Sequence, residues 1–220
     1  MRGLHQRLKS VFLTFKIGNM IWTDCYKELV YIIEHREEFL DMIPDEYEEI
    51  RERMREAPGI EHIDMWHEQI SFLEEEHAFP TPAVFIEFNT LGIEDEGVQV
   101  QRLHTQIDFR LYYETFSDTY EGAVMQQEAL SFLELLTLIG MMFHGRSGKT
   151  FGTLRRTHVG REDSGGAGNL YRISFECDII DYSTITMCNR VDMQDKEINI
   201  EDGKIPEQQE EQPLYDIAAR

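Results

Sequence analysis

Six consecutive residues, Gly145-Arg146-Ser147-Gly148-Lys149-Thr150, are of the types that bind phosphate. In a phosphate-binding loop, glycine amides cradle the anion, a lysine reaches its outer oxygens and a threonine hydroxyl meets the magnesium ion. That chemistry needs a glycine five residues before the second glycine, where this chain has Phe143. The context is reversed too. A phosphate loop leaves a strand and opens a helix, whereas this segment is expected to leave a helix and enter a strand, so no helix N-terminus faces the anion. The same residues approach the Gly-x-Ser-x-Gly nucleophile elbow, with Lys149 in place of the last glycine and the same wrong order of elements. What remains is a glycine C-cap followed by a turn.

His62, His67 and His77 lie among many carboxylates, the donor types of a zinc site. No HExxH motif is present, since His67-Glu68 is followed by Gln69-Ile70-Ser71. In so acidic a chain, a carboxylate close to a histidine is expected by chance. Glu74-Glu75-Glu76 reads as a solvated run, because adjacent side chains do not converge on one reacting atom. Gly165-Gly166-Ala167-Gly168 falls in an expected hairpin and is no dinucleotide fingerprint; it reads as a loop tip able to reorder against a partner. Cys25, Cys177 and Cys188 form no CxxC pair and read as small buried hydrophobes in a reducing compartment. The expectation is therefore no catalytic residue, no cofactor and no metal ligand. A small metal-dependent enzyme built on His62, His67 or His77 is the enzymatic alternative.

The elements that would position these residues carry an uneven charge. The 220 residues include 42 acids and 21 bases, a net charge of -21. Such a balance disfavours gripping nucleic acid by its phosphates, which requires Lys and Arg to displace counterions. It also disfavours docking on an anionic membrane. Disorder is excluded by the 41% of apolar residues, enough for a core. Residues 1–19 form a basic arm or extension with Arg2, Arg7, Lys9 and Lys16 and no acid. The stretch 34–76 is strongly acidic, and 187–220 is an acidic tail with Pro206 and Pro213. Between arm and tail, residues 20–186 are expected to form a single domain with an acidic helical insertion at about 45–77.

Periodicity predicts a helix over 21–40, with Trp22, Tyr26, Leu29, Ile33 and Leu40 on one face. After Pro44 a shorter helix is expected over 45–56, with Tyr47, Ile50 and Met54 facing inward. Residues 64–77 are ambiguous between a helix and an irregular edge segment. A strand is expected over 83–89, then a loop over 92–97, then a long strand over 98–114 whose phase switch predicts a bulge near Gln101 and Arg102. An N-cap at Ser117-Asp118-Thr119 opens a helix ending at Gly145, with a stripe of Met125, Ala129, Phe132, Leu136, Ile139 and Phe143 that Leu130, Leu133, Leu135 and Leu138 widen. Strands over 151–159 and 170–182 flank the glycine-rich hairpin. The resulting class is α+β: an antiparallel sheet with helices packed on one face, order α-β-β-α-β-β, plus an extra N-terminal helical segment.

This order resembles the tail-terminator and tail-completion proteins of long-tailed bacteriophages and prophages. So do the proline-bracketed strand Pro80-Thr81-Pro82-Ala83-Val84-Phe85-Ile86-Glu87-Phe88, the long strand ending Asp108-Phe109-Arg110-Leu111-Tyr112-Tyr113, and the hairpin before Leu170-Tyr171-Arg172-Ile173-Ser174-Phe175. The resemblance covers residues 20–183. It implies a structural, non-enzymatic subunit of the virion tail, assembled in the bacterial host cytoplasm. Such subunits form a ring, commonly hexameric, that caps the tail-tube protein and meets the head–tail connector protein. DNA would pass through the ring without specific binding, and no membrane is involved. A head–tail joining or neck protein of the same fold is the alternative. The acidic insertion and the tail are longer than a minimal family member needs. Head-to-tail contacts pair unlike patches. For that role the basic residues Arg155, Arg156 and Arg161, with Gly165 and Gly166 at the loop tip, are the expected interface to a neighbouring subunit or the tube.

Overall fold

A computed structural model of the chain describes residues 20–72, 79–97, 99–114, 120–124, 126–164 and 168–184. The arm 1–19, the whole tail 187–220 with Cys188, His77, Glu74–Glu76, Ser117–Thr119, Met125, Gly165 and Gly166 lie outside the described residues.

The first helix, α1 (Ile21–Glu34), buries Cys25, Leu29, Ile32 and Ile33. Helical spacing continues into α2 (Arg36–Leu40), which buries Leu40, but a turn at His35 separates the two. His35 stacks on Tyr31 at 3.8 Å, and its ring nitrogen Nδ1 donates to the Tyr31 carbonyl at 2.8 Å. The expected inward face is corrected at Trp22, which is 40% exposed and packs sideways on Phe88. A 3-10 turn (Asp45–Tyr47) leads into α3 (Glu48–Arg55). Of its three expected core residues only Met54 is buried; Tyr47 and Ile50 are exposed. With three acids and three arginines in eight residues, α3 has too little apolar surface to bury more than one stripe position. It is tied to the body through Arg53, whose Nε donates to Glu134 at 2.9 Å.

The acidic insertion is not helical throughout. β1 (His62–Met65) is a short edge strand parallel to β2 (Ala83–Gly97), followed by a second 3-10 turn (Gln69–Phe72). β2 pairs antiparallel with β3 (Val100–Glu114), β3 with β5 (Gly168–Asp181), and β5 with β4 (Arg155–Glu162). The sheet order is β1-β2-β3-β5-β4, a five-stranded, mostly antiparallel sheet in an α+β fold. Between β3 and β4 lies α4 (Gln126–Phe143).

The expected loop over 92–97 is strand. Glu94 stands opposite Arg102 and Asp95 opposite Gln101, so cross-strand partners hold a polar sequence that alternation alone would leave as a loop. The predicted bulge is present, but its extra residues belong to β2, between Thr90 and Gly92 and between Asp95 and Gly97.

One face of the sheet buries Val84, Ile86, Ile107, Phe109, Ile173 and Phe175 beneath α1 and α4. From α4 it receives Leu135, Leu138, Ile139, Met142 and Phe143. The opposite face carries a small cluster, Ala83, Phe85, Tyr112 and Leu170, covered by Ile70, Trp66 and Phe79. The rest of that face is ionic.

The phosphate-like segment binds an anion after all, and the anion is internal. Gly145, at φ 79°, ends α4 in the left-handed region that suits glycine. The chain then turns, and the Glu28 carboxylate of α1 accepts from the Lys149 N–H at 2.8 Å, the Thr150 N–H at 2.9 Å and the Thr150 hydroxyl at 2.7 Å. A Cβ on Gly148 would stand 2.9 Å from a Glu28 oxygen and 2.5 Å from the Phe151 ring, so only glycine lets the turn close this tightly. Glu28→Ala is expected to cost about 2 kcal/mol, the scale of a charge-assisted hydrogen-bond set, and Glu28→Gln about half of it. Urea denaturation of the two variants measures both; equal losses would mean that the charge is irrelevant.

Candidate subunit interface

β4 lies at one margin of the sheet, with β5 on one side and no strand on the other among the described residues. Its sequence, Arg155-Arg156-Thr157-His158-Val159-Gly160-Arg161-Glu162, is exposed almost throughout. Arg155, Arg156 and Arg161 are all exposed, and none makes an ion pair among the described residues. The three do not form one patch. Register puts Arg156 opposite Phe175 and Arg161 opposite Tyr171, on the helix-covered side; Arg155 lies opposite Glu176 on the other. The Arg156 guanidinium lies where a Cβ on Gly140 of α4 would stand. The three arginines thus share an edge and divide between its two faces. Val159, between them, is 45% exposed.

Just ahead of β4, the Gly152 N–H donates to the Asp178 carbonyl of β5 at 2.8 Å. A cavity of about 770 Å³ opens here, lined by Arg155, Arg102, His104, Asp178, Glu176 and Phe151 among others. The Asp178 carboxylate accepts from His104 Nδ1 at 2.6 Å and from Arg102 Nη1 at 3.1 Å. His104 Nε2 lies 3.5 Å from Glu94, and Arg102 also pairs with Glu96. The hydrogen bond that His104 donates to Asp178 raises the His104 pKa above the ordinary value. Burial pushes Asp178 up, but its bonds from His104 and Arg102 outweigh that and hold it below the usual carboxylate range.

These shifts set a pH window. His104 titrates higher in the folded chain than its unfolded value of about 6.5. Its contribution is therefore complete below that value and is lost as pH rises through the raised one. The Asp178 contribution is present above the unfolded carboxylate value and is lost as pH falls through the depressed one. The urea midpoint is expected to decline on going from pH 6 to pH 8, and His104→Gln should flatten that decline. Parallel curves for the two proteins would remove His104 from the account.

A second ionic set lies further along the same face. Arg110 Nε donates to Glu162 at 2.8 Å, Arg110 also pairs with Glu87, and its guanidinium lies 4.5 Å over the Trp66 ring. Arg172 completes it, 3.1 Å from Glu162. Neither set was foreseen from the sequence, because partners such as His104 and Asp178 meet only through strand pairing.

His62 stacks on Phe79 at 5.3 Å, and His67 Nδ1 lies 3.1 Å from the Met65 carbonyl. Among the described residues no three His, Cys, Asp or Glu side chains converge as a metal site. Cys25 and Cys177 are buried in the core, and burial pushes each thiol up to about 12, so neither is a poised nucleophile. No described helix is long and apolar enough to cross a membrane. No protein-family model matches this chain, and no curated protein matches it.

Proposed function

We propose that this chain is a non-enzymatic structural subunit that assembles into a ring, caps the tail tube of a long-tailed phage or prophage, and joins it to the head connector. The observation that carries the reading is a helix-covered, mostly antiparallel sheet whose margin, β4, is a largely exposed basic strand. A lone domain gains nothing from such an edge, and unpaired strand edges are templates for further pairing. The assembling unit in this reading has the order α-β-β-α-β-β, supplied by α1, β2, β3, α4, β4 and β5. β1 and the acidic helices are additions to it. The virion tail is its place, after assembly in the bacterial cytoplasm. The net charge of -21 suits a channel wall that lets DNA pass without holding it. Electron microscopy of the purified chain, alone and mixed with tail tubes, tests the reading. Rings with a central hole, seated at tube ends, are expected. A monomer that neither rings nor binds tubes would overturn it.

A further inference from the structure

The sheet has a second open edge, and it is the chemical opposite of the first. β1 covers β2 only at Ala83–Ile86. Beyond Ile86, β2 runs on to Gly97 with no strand on its outer side among the described residues. This free half ends in Glu94, Asp95 and Glu96, all exposed, and shows Leu91 and Ile93 at 58% exposure each. The β4 edge shows Arg155, Arg156, Arg161 and Val159. One edge is acidic with an apolar pair, the other basic with an apolar residue, and they lie on opposite sides of one sheet.

We propose that copies of this chain join head to tail by adding the β4 edge of one to the free outer edge of β2 in the next, as antiparallel strands. The direction follows from the sheet. β2 and β5 run one way and β3 and β4 the other, so a neighbour placed beside β4 in the same orientation presents β2 running opposite to it. Within one copy Arg155 is level with Asn89, through Glu176 and Gln106. Glu94 and Asp95 lie further along β2, so β4 must slide toward the β2–β3 turn to meet the acids and to clear β1. Such a stagger tilts the strands about an axis, as closure of strands into a barrel requires. Unlike edges make a heterologous contact, which closes into a ring when the rotation between copies permits.

This inference deepens the ring reading and rests on it, and its test separates the two. The full-length chain is followed by sedimentation and light scattering at low and high salt. Two variants accompany it: Arg155→Glu/Arg156→Glu/Arg161→Glu, and Glu94→Lys/Asp95→Lys, each checked for folding by circular dichroism. The wild type is expected to assemble, and to weaken at least tenfold when salt is raised from about 0.05 to 0.5 M, since exposed charges are screened. Each variant alone should be monomeric, because both of its edges then carry one sign. An equimolar mixture of the two should reassemble, each acidic edge meeting a basic one. Wild-type rings that ignore salt, variants that still assemble alone, or a mixture of folded variants that stays monomeric would overturn the edge pairing and leave the ring reading standing. A wild-type monomer at every concentration would overturn both.

Discussion

Replacing Phe109 with alanine is expected to destabilise the chain by about 4 kcal/mol, the range of buried phenylalanine truncations. Phe109 is fully buried at the centre of the sheet on β3. Its ring stacks on Phe143 of α4 at 4.5 Å and meets Phe175 of β5 edge-on at 5.6 Å. Phe143 and Phe175 also touch, at 6.0 Å. The trio therefore joins β3 and β5 to α4. Truncation removes the shared member and leaves a void bounded by β-sheet on one side, which cannot collapse easily. Phe109→Leu keeps most of the volume and should cost about 1.5 kcal/mol or less. A double-mutant cycle with Phe143→Ala should show coupling of about 1 kcal/mol from the ring contact. Urea denaturation measures all three. A Phe109→Ala loss below about 1.5 kcal/mol would show that the three rings do not form the centre of the core.

Arg110→Ala is expected to cost about 3 kcal/mol, because it strands Glu87 and takes one of two partners from Glu162 in a largely buried site. The Arg110 side chain is only 9% exposed, while Glu87 and Glu162 are 31% and 27% exposed. Burial lowers the Arg110 pKa, but the two carboxylates outweigh it and the net direction is upward. The cost of the substitution is mainly the unpaired charge left behind rather than the loss of attraction. Adding Glu87→Gln to Arg110→Ala should therefore recover about 1 kcal/mol, since one stranded charge disappears. Glu162 keeps Arg172 as a partner in either case. Arg110→Lys should fall between, because a lysine cannot serve Glu87, Glu162 and the Trp66 face together. A double variant less stable than Arg110→Ala alone would refute the stranded-charge account.

How far a feature could be read from the sequence depended on the range of the interaction that creates it. The alternation of β5 was plain, with Ile173, Phe175, Cys177 and Ile179 inward and Arg172, Glu176 and Asp178 outward. The burial of α4 and its stop at Gly145 were equally plain. Leu135 and Leu138 are buried as expected, with Phe132, Ile139 and Phe143. The helical stripe nonetheless shifted in detail: Met142 is buried too, Leu136 is only partly so, and Leu133 is 40% exposed. The candidate interface was half legible. Arg155, Arg156 and Arg161 could be named, but their division between two faces required the register of β4 on β5. The acidic half of β2 was missed because Glu94, Asp95 and Glu96 have poor intrinsic strand preference and were assigned to a loop.

The sequence by itself determined the class of fold, the concentration of acid in particular stretches, the absence of a phosphate-loop pattern and the inward residues of the long elements. These are properties of spacing along the chain, where periods of 2 and 3.6 residues decide which side chains share a face. Only the tertiary structure decided which strands are neighbours, where β1 pairs in parallel, and which edges are left open. It also decided that the Gly148–Thr150 turn holds Glu28 from 121 and 122 residues away, and that His104 meets Asp178 across 74 residues. The physical reason is that strand pairing and carboxylate capture depend on backbone groups that every residue carries, so no local pattern of side chains marks their partners.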